Sequence, residues 1–508
     1  LTLSAVLISL LVGIPLGVWA GVSDRVNRIL TPVLDVMQTM PTFVYLAPLT
    51  LFFLIGSASA VIATLIYAAP PAIRITAHAI RAVPATTVEA AESLGSTRWQ
   101  TLIKVLLPMS KRTVVMGVNQ TIMSALSMVT IAALIDAPGL GKVVMQALES
   151  LDVGTAFNAG LAIVVMAIVL DRVTTAAGDR TEDAKRRGNR FQKLRRPLLL
   201  AGGVAVAACA YVSYTYVWAA EFPGSGGIGG SIAKAADSVT TWAQNDLSGV
   251  TNGIKNSVTT ALLNPFQTLL TESPWWLVGA VLVALGAVLG GWRAGVTAAV
   301  CVGLLFGTGV WSDSMATLAS TVLATLIVVL LGIVVGVWMG RSTVADRLIR
   351  PVLDAGQTMP SFVYLVPFLA LFAASRFTAI VAAVVYAAPV TIKIIADGIR
   401  AVPETTVEAA TAAGSDTWQI VTKVQLPMSR SALTLATNQG LIYVLSMVVV
   451  GGLVGAGALG YDVVAGFSQG DLYGKGLAAG LAIVLLGVMF DRITQAAARR
   501  SGNVSGRQ

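Results

Sequence analysis

The chain has 508 residues, 56% of them hydrophobic and only 12% charged, with a mean hydropathy of +0.79 and a formal net charge of +9. Too little polar residue is present to cover a water-soluble globule of this size, so the composition excludes one and places the chain in a bilayer. A basic balance in so apolar a chain is explained by membrane orientation, and no nucleic-acid partner is expected.

Closed backbone hydrogen bonding makes helices the natural way to cross hydrocarbon, and a span needs about 20 residues. In chain order, apolar runs fall near Leu3–Ala20, Thr42–Ile55, Ala60–Ala77, Thr113–Ile135 and Ala156–Leu170. A basic linker, 176–197, follows with Lys185, Arg186, Arg187, Arg190, Lys193, Arg195 and Arg196. The stretch 198–314 then holds an apolar run at Leu198–Ala219, an outer segment, and spans near Trp275–Gly290 and Ala294–Val310. Within the outer segment, Ile232, Ala235, Val239, Trp242, Val250 and Ile254 recur at helical spacing, predicting an amphipathic helix on the outer surface led in by GSGGIGG from Gly224. The last spans are expected near Leu318–Met339, Ser361–Ala374, Thr378–Ala396, Ala432–Val454 and Gly476–Phe490, about thirteen in all by length. The resulting division is a first membrane domain at 1–175, the linker, the extra spans, a second membrane domain at 315–497 and a tail at 498–508. Because Leu1 falls inside a span, the first domain is expected to be N-terminally truncated.

A constant offset relates the two domains. Trp19 answers to Trp338, Pro32 to Pro351, Tyr45 to Tyr364, Pro70 to Pro389, Trp99 to Trp418, Asn119 to Asn438 and Met128 to Met447. After a one-residue insertion, GLAIV from Gly160 pairs with GLAIV from Gly480. Two long repeats of this kind are a tandem duplication rather than a solenoid. Under this alternation Arg25, Arg28, Arg98, Lys104, the linker, Arg347, Arg350 and Lys423 all fall on one side, which the positive-inside rule assigns to the cytoplasm.

On that side a polar stretch is written twice, EAAESLGSTRWQTLIKVLLP from Glu89 and EAATAAGSDTWQIVTKVQLP from Glu408. Each copy reads E-A-A, three residues, Gly, nine residues, an aliphatic residue, one residue, Leu-Pro. This resembles the EAA loop of bacterial ABC importer permeases. The resemblance implies an all-α polytopic membrane protein of two tandem type I ABC importer permease domains forming a pseudo-dimer. It also implies docking of two copies of a cytoplasmic ABC ATPase. The residues carried over are Glu89, Ala90, Ala91, Gly95, Trp99 and Pro108, matched by Glu408, Ala409, Ala410, Gly414, Trp418 and Pro427. Physically, the stretch needs a rigid lever between spans. Pro84 and Pro108 bracket it, Glu89 is placed at the positive end of its helix dipole, the small residues permit close approach, and Trp99 is an apolar anchor.

The stretches QTMPTFVYLAP from Gln38 and QTMPSFVYLVP from Gln357, with IRAVPATTVEAA and IRAVPETTVEAA, are similar to the glycine betaine/proline class of these permeases. That likeness implies import of compatible solutes across the bacterial cytoplasmic membrane, osmoprotection, and an external substrate-binding protein. Permeases for methionine, taurine or nitrate share the loop and stand as alternatives. An ion-coupled secondary transporter is the alternative from another class, but it calls for ionisable groups inside the spans that are scarce here.

No G-x-x-x-x-G-K-[ST] phosphate loop occurs, so ATP and Mg are expected on the ATPase chain and no cofactor or catalytic residue on this one. His78 stands without a Cys/His cluster, so no metal is expected, and Cys209 and Cys301 read as small core residues. Within the spans, Asn119, Gln120 and Ser127, with Asn438, Gln439 and Ser446, either line a translocation path or bond neighbouring helices. Tyr45/Tyr364 and Phe43/Phe362 offer π faces to a quaternary ammonium ion or serve as belt residues. Asp171 and Asp491 each precede an Arg and are expected to form interfacial ion pairs, and His78 and Asp397, equivalent in the repeats, either form an ion pair across the pseudo-twofold axis or face cytoplasmic water at span ends.

Overall fold

The computed structural model describes residues 1–39, 45–186, 192–216 and 228–505, and their regular structure is helical throughout. Phe43, the Gly224 lead-in, Arg187 and Arg190 lie outside the described residues. The first repeat runs α1 (Thr2–Val22), α2 (Asp24–Thr39), α3 (Leu46–Phe53), α4 (Ser57–Arg81), α5 (Ala85–Ser93), α6 (Arg98–Thr101), α7 (Leu107–Ile131), α8 (Leu140–Glu149) and α9 (Val153–Arg186). Intervening helices are α10 (Gln192–Thr215), α11 (Ile228–Asp246), α12 (Ser248–Val258), α13 (Asn264–Thr271), α14 (Trp275–Gly290) and α15 (Trp292–Gly307). The second repeat follows the order of the first as α16 (Trp311–Arg341), α17 (Thr343–Thr358), α18 (Ser361–Phe372), α19 (Arg376–Arg400), α20 (Glu404–Ala412), α21 (Thr417–Gln419), α22 (Leu426–Met428), α23 (Arg430–Val450), α24 (Ala458–Ser468) and α25 (Tyr473–Ser505).

Among the described residues, eight helices are long and apolar enough to cross a membrane, or ten if each of two bent pairs counts as one span. That is fewer than the thirteen expected from runs of apolar residues. The second run of each repeat is the main reason. It folds as the 8-residue α3 and the 12-residue α18, and at 1.5 Å per residue even the longer covers only about 18 Å of a core near 30 Å. Residues 343–357 and 361–372 meet at 104°, a broken element. In α10 the apolar stretch shortens to Leu200–Cys209.

Each repeat is held by a glycine stripe. Gly13, Gly17 and Gly21 of α1 face α4, where an added Cβ would fall 2.7 Å from Ala72 Cβ, 2.6 Å from Thr76 Cβ and 2.8 Å from Ile80 Cβ. Gly332, Gly336 and Gly340 of α16 repeat this against Thr391, Ile395 and Ile399 of α19. Lipid offers no hydrophobic driving force between helices, so the close approach supplies dispersion contact instead. Arg81 then donates to Ala20 O at 2.9 Å and Arg400 to Met339 O at 3.1 Å, satisfying carbonyls at the ends of α1 and α16.

The repeats interlock. α9 of the first packs on α18 of the second, Gly160 lying 3.2 Å in Cβ terms from Val363, while α25 of the second packs on α2 and α3 of the first. The result is a pseudo-dimer of two permease folds with a shared core. The outer segment is three helices and not one. They pack over α9, α18 and α16, and Gln244 and Lys255 each donate at 3.3 Å to the terminal carbonyls Ala370 O and Phe372 O of α18. Trp242 and Val250 still point outward, 54% and 62% exposed. Cys301 is buried as a small core residue, whereas Cys209 is exposed on α10, which has few neighbours to cover it.

Candidate functional site

The repeated loops form two equivalent projections. Pro84 and Pro403 occupy the N-cap positions of α5 and α20, whose 9 residues each include no buried side chain. Gly95 and Gly414 then take φ of +78° and +84°. In the first loop Gly95 N donates to Glu92 O at 2.9 Å and Ser96 N to Ala91 O at 3.1 Å; in the second, Gly414 N donates to Thr411 O and Ser415 N to Ala410 O at the same distances. This pair of bonds is the Schellman motif, which closes a helix with a left-handed glycine. The glycine is therefore required by backbone conformation, and an added Cβ would meet nothing within 4 Å.

A capping box restarts the chain. Thr97 Oγ1 accepts from Gln100 N at 3.3 Å and Gln100 Oε1 from Thr97 N at 2.9 Å; Asp416 and Gln419 repeat it at 2.7 and 3.1 Å. A π-helical turn follows at 102–106 and again at 420–425. Pro108 and Pro427 follow directly on these π-turns, in the first turn of the α-helical segments that continue from them. Glu89 and Glu408 lie one turn into α5 and α20 and not at their N-termini, so the dipole argument fails for them; Glu404 holds the first-turn position in the second loop alone. Glu89, Ala90, Glu408 and Ala409 are exposed, Ala91 and Ala410 half-buried. Trp99 and Trp418 are 68% and 73% exposed, large apolar groups that the rest of the chain leaves uncovered.

Between the repeats lies a cavity of about 360 Å³. Arg74, close to the first loop along α4, and Gln439, close to the second along α23, both line it, so the two loops leave the bundle at the same end. Of the residues singled out above, Gln120, Asn438, Gln439 and Ser446 contribute to the lining. Ser127 is half-buried and outside it. Asn119 also stays out; its Nδ2 donates to Asp171 Oδ1 at 2.6 Å, and Thr174 Oγ1 donates to its Oδ1 at 2.9 Å. The second repeat makes the same triad, Asn438 to Asp491 at 3.1 Å and Thr494 to Asn438 at 2.5 Å. Asp171 and Asp491 thus bond asparagines and not the arginines that follow them, since consecutive helical residues do not face each other.

Tyr45 and Tyr364 are buried behind the cavity. Each donates its hydroxyl to the preceding helix, Tyr45 to Met37 O and Tyr364 to Gly356 O at 2.5 Å. Phe362 is buried as well. The aromatic rings that do line the cavity are Tyr67, Tyr386 and Tyr443. Tyr67 and Tyr386 are equivalent in the repeats and were visible in the duplicated YAAP, whereas Tyr443 replaces Ser124 and carries no signal of duplication. At the loop end Arg74 pairs with Asp35 at 2.5 Å, and Lys393 with Asp354 at 2.5 Å. Asp397 is not near-neighbour to His78 in charge terms: Arg350 takes it at 2.6 Å and also Asp346 at 2.9 Å, while His78 is exposed. Among the described residues no cluster of His, Cys, Asp and Glu could hold a metal ion.

A helical pseudo-dimer with a polar axial cavity and paired projections at one end defines a membrane permease. Residues 13–183 and 328–503 match the family described as binding-protein-dependent transport system inner membrane component, and the chain belongs to that family. Over 488 residues it is 31% identical to the trimethylamine N-oxide transport system permease protein TmoV of Ruegeria pomeroyi, covering 95% of this chain and 73% of that protein. It is 52% identical over 174 residues to the glycine betaine transport system permease protein OpuAB of Bacillus subtilis, 34% of this chain and 62% of that one. With the glycine betaine/proline betaine transport system permease protein ProW of Escherichia coli it shares 47% over 190 residues, 37% of this chain and 53% of that one.

Proposed function

We propose that this chain supplies both permease domains of an ABC importer that brings methylated ammonium osmolytes into a bacterial cell. The observation that supports it most directly is the pair of exposed EAA helices, with the same Schellman cap and the same capping box, at one end of the pseudo-dimer. Each would receive one ATPase, Trp99 and Trp418 entering clefts on its surface, while a substrate-binding protein delivers solute at the opposite end. ATP and Mg belong to the ATPase. The loop end faces the cytoplasm on this reading, as does the basic linker.

The rigid π-turn and capped helix of each loop connect a docked ATPase directly to α7 and α23, two helices that line the cavity. Closing and opening of the ATPases would therefore move Gln120 and Gln439 relative to each other and alternate access to the space between them. The substrate class rests on the relatives, which carry the names of trimethylamine N-oxide, glycine betaine and proline betaine. These share a nitrogen bearing methyl or ring carbons and a compact oxyanion.

The test is uptake of labelled glycine betaine and trimethylamine N-oxide into proteoliposomes holding this chain, its ATPase and its binding protein, with proline, choline, carnitine and methionine as competitors. ATP-dependent uptake suppressed by betaine analogues is expected. Uptake of methionine alone would overturn the substrate class, and gradient-driven uptake without ATP would overturn the mechanism.

A further inference from the structure

We infer that Tyr67, Tyr386 and Tyr443 form an off-axis site inside the membrane for the methylated ammonium group of the transported solute, a step that rests on the substrate class proposed above. The three rings border one cavity of about 360 Å³, at the lower end of the roughly 300–1,000 Å³ usual for small-molecule pockets. Tyr386 and Tyr443 stand 5.3 Å apart between centroids at 39°, so their faces are neither stacked nor edge-on to each other. Each repeat-equivalent tyrosine is braced from behind: Tyr364 packs edge-on to Tyr386 at 5.3 Å, and Tyr45 to Tyr67 at 6.3 Å. The bracing rings are themselves fixed through their hydroxyls to Gly356 O and Met37 O. Rings held in this way are pre-organised, and a desolvated ring face attracts a cation through its quadrupole.

Symmetry is broken at one place only within this aromatic lining. Ser124 and Tyr443 occupy equivalent positions and both border the cavity, so three corners carry a ring and the fourth is open. A solute on the pseudo-twofold axis would meet the two repeats equally; one bound by these rings is displaced toward the second repeat. The oxyanion end then has amide donors within the same lining, Gln120 and Gln439, while the Arg74 guanidinium is engaged by Asp35 and keeps a buried Nε without a partner among the described residues.

The experiment uses the complete transporter, permease with ATPase and binding protein, in proteoliposomes. Position 443 is filled in turn by Phe, 4-fluoro-, 3,5-difluoro- and 3,4,5-trifluorophenylalanine, which keep ring shape while withdrawing the negative face. Glycine betaine uptake at saturating binding protein is expected to stay within twofold for Tyr443→Phe and to fall stepwise with fluorination, about tenfold across the series, a change of about 1.4 kcal/mol. The thermal unfolding midpoint, read on the same preparations, reports folding. A flat fluorination series with normal wild-type uptake overturns this site and leaves the substrate class standing. Wild type that imports no methylated ammonium solute overturns the substrate class itself. Ser124→Tyr, which fills the open corner, should lower uptake; unchanged uptake would also count against the off-axis placement.

Discussion

Asn438 donates its side-chain amide to Asp491 at 3.1 Å, and their equivalents Asn119 and Asp171 make the same bond at 2.6 Å, so each repeat ties its loop-proximal helix to its last one through a polar bond. In the second repeat both partners are buried, 5% and 3% exposed, while in the first they are half-exposed. An average interhelical hydrogen bond in a membrane contributes about 0.6 kcal/mol. In the buried pair the loss is larger, about 1 kcal/mol or more, because Asp491 Oδ1 then keeps only Gln495 Nε2, at 2.7 Å, as a donor. Asn438→Ala should therefore lower the thermal unfolding midpoint of the nanodisc-embedded chain clearly more than Asn119→Ala. The Asn438→Ala/Asp491→Ala double variant should recover part of the loss. Equal shifts for the two single variants would contradict the burial difference.

The glycine stripe is a packing requirement. A leucine at Gly17 or Gly336 would be driven into Thr76 or Ile395, whose atoms stand under 3 Å from even a Cβ. Overpacking of this kind costs about 1–3 kcal/mol or more. Lower yield of folded protein and a lower unfolding midpoint are expected from Gly17→Leu and Gly336→Leu. Gly303→Leu, whose Cβ would meet nothing within 4 Å, is the matched control and should behave as wild type.

At the loops the constraint is conformational. Gly414→Ala places a Cβ on a residue at φ +84°, at a cost of roughly 1–2 kcal/mol for a left-handed backbone. The amides of Gly95→Ala and Gly414→Ala variants and their neighbours Ser96 and Ser415 should exchange hydrogen faster, with the transmembrane helices unaffected. Protection equal to wild type would show that the Schellman cap is not what the glycine serves.

On the proposed docking role, Trp99 and Trp418 affect partner affinity and not stability, because the chain itself leaves most of each side chain uncovered. Trp99→Ala and Trp418→Ala should each weaken association with the ATPase about tenfold, or about 1.4 kcal/mol, at an unchanged unfolding midpoint. Co-purification titrated against ATPase concentration reads the first and differential scanning fluorimetry the second. Full affinity in the Trp99→Ala/Trp418→Ala double variant would remove both from the docking surface.

At the far end of the bundle Lys475 donates to Asp462 at 2.7 Å, and Asp313 lies 3.8 Å from the same ammonium. Asp462 is 5% exposed and its other oxygen has no partner among the described residues, so Lys475 carries most of its compensation. Lys475→Ala should destabilise the chain by about 1–3 kcal/mol, and Asp462→Asn in the same chain should restore part of it. A neutral Lys475→Ala in thermal unfolding would mean that water reaches the carboxylate.

The order of helices, the duplication and the repeated loops were legible in the residues, since each depends on local pattern: apolar length, a constant offset, and glycine and proline at fixed places. The count of spans was not, because α3 and α18 are apolar but short, α18 meets the helix before it at 104°, and both rest against neighbouring helices of the two repeats. The roles of polar residues were half legible. Asn119 and Asn438 announced themselves as polar groups in apolar helices, but their choice of Asp171 and Asp491 required α7 to meet α9, and α23 to meet α25, in one particular register.

By itself, then, the sequence determined a duplicated helical membrane protein with two equivalent projections, because periodicity, hydropathy and turn chemistry act over a few residues and survive without a partner. Tertiary structure alone decided which side chains meet across the pseudo-twofold axis. Tyr67 and Tyr443 are hundreds of positions apart and differ in duplication, yet they border one cavity because the repeats interlock through α9 and α25. No local rule couples residues at that separation; only the geometry of close-packed helices does.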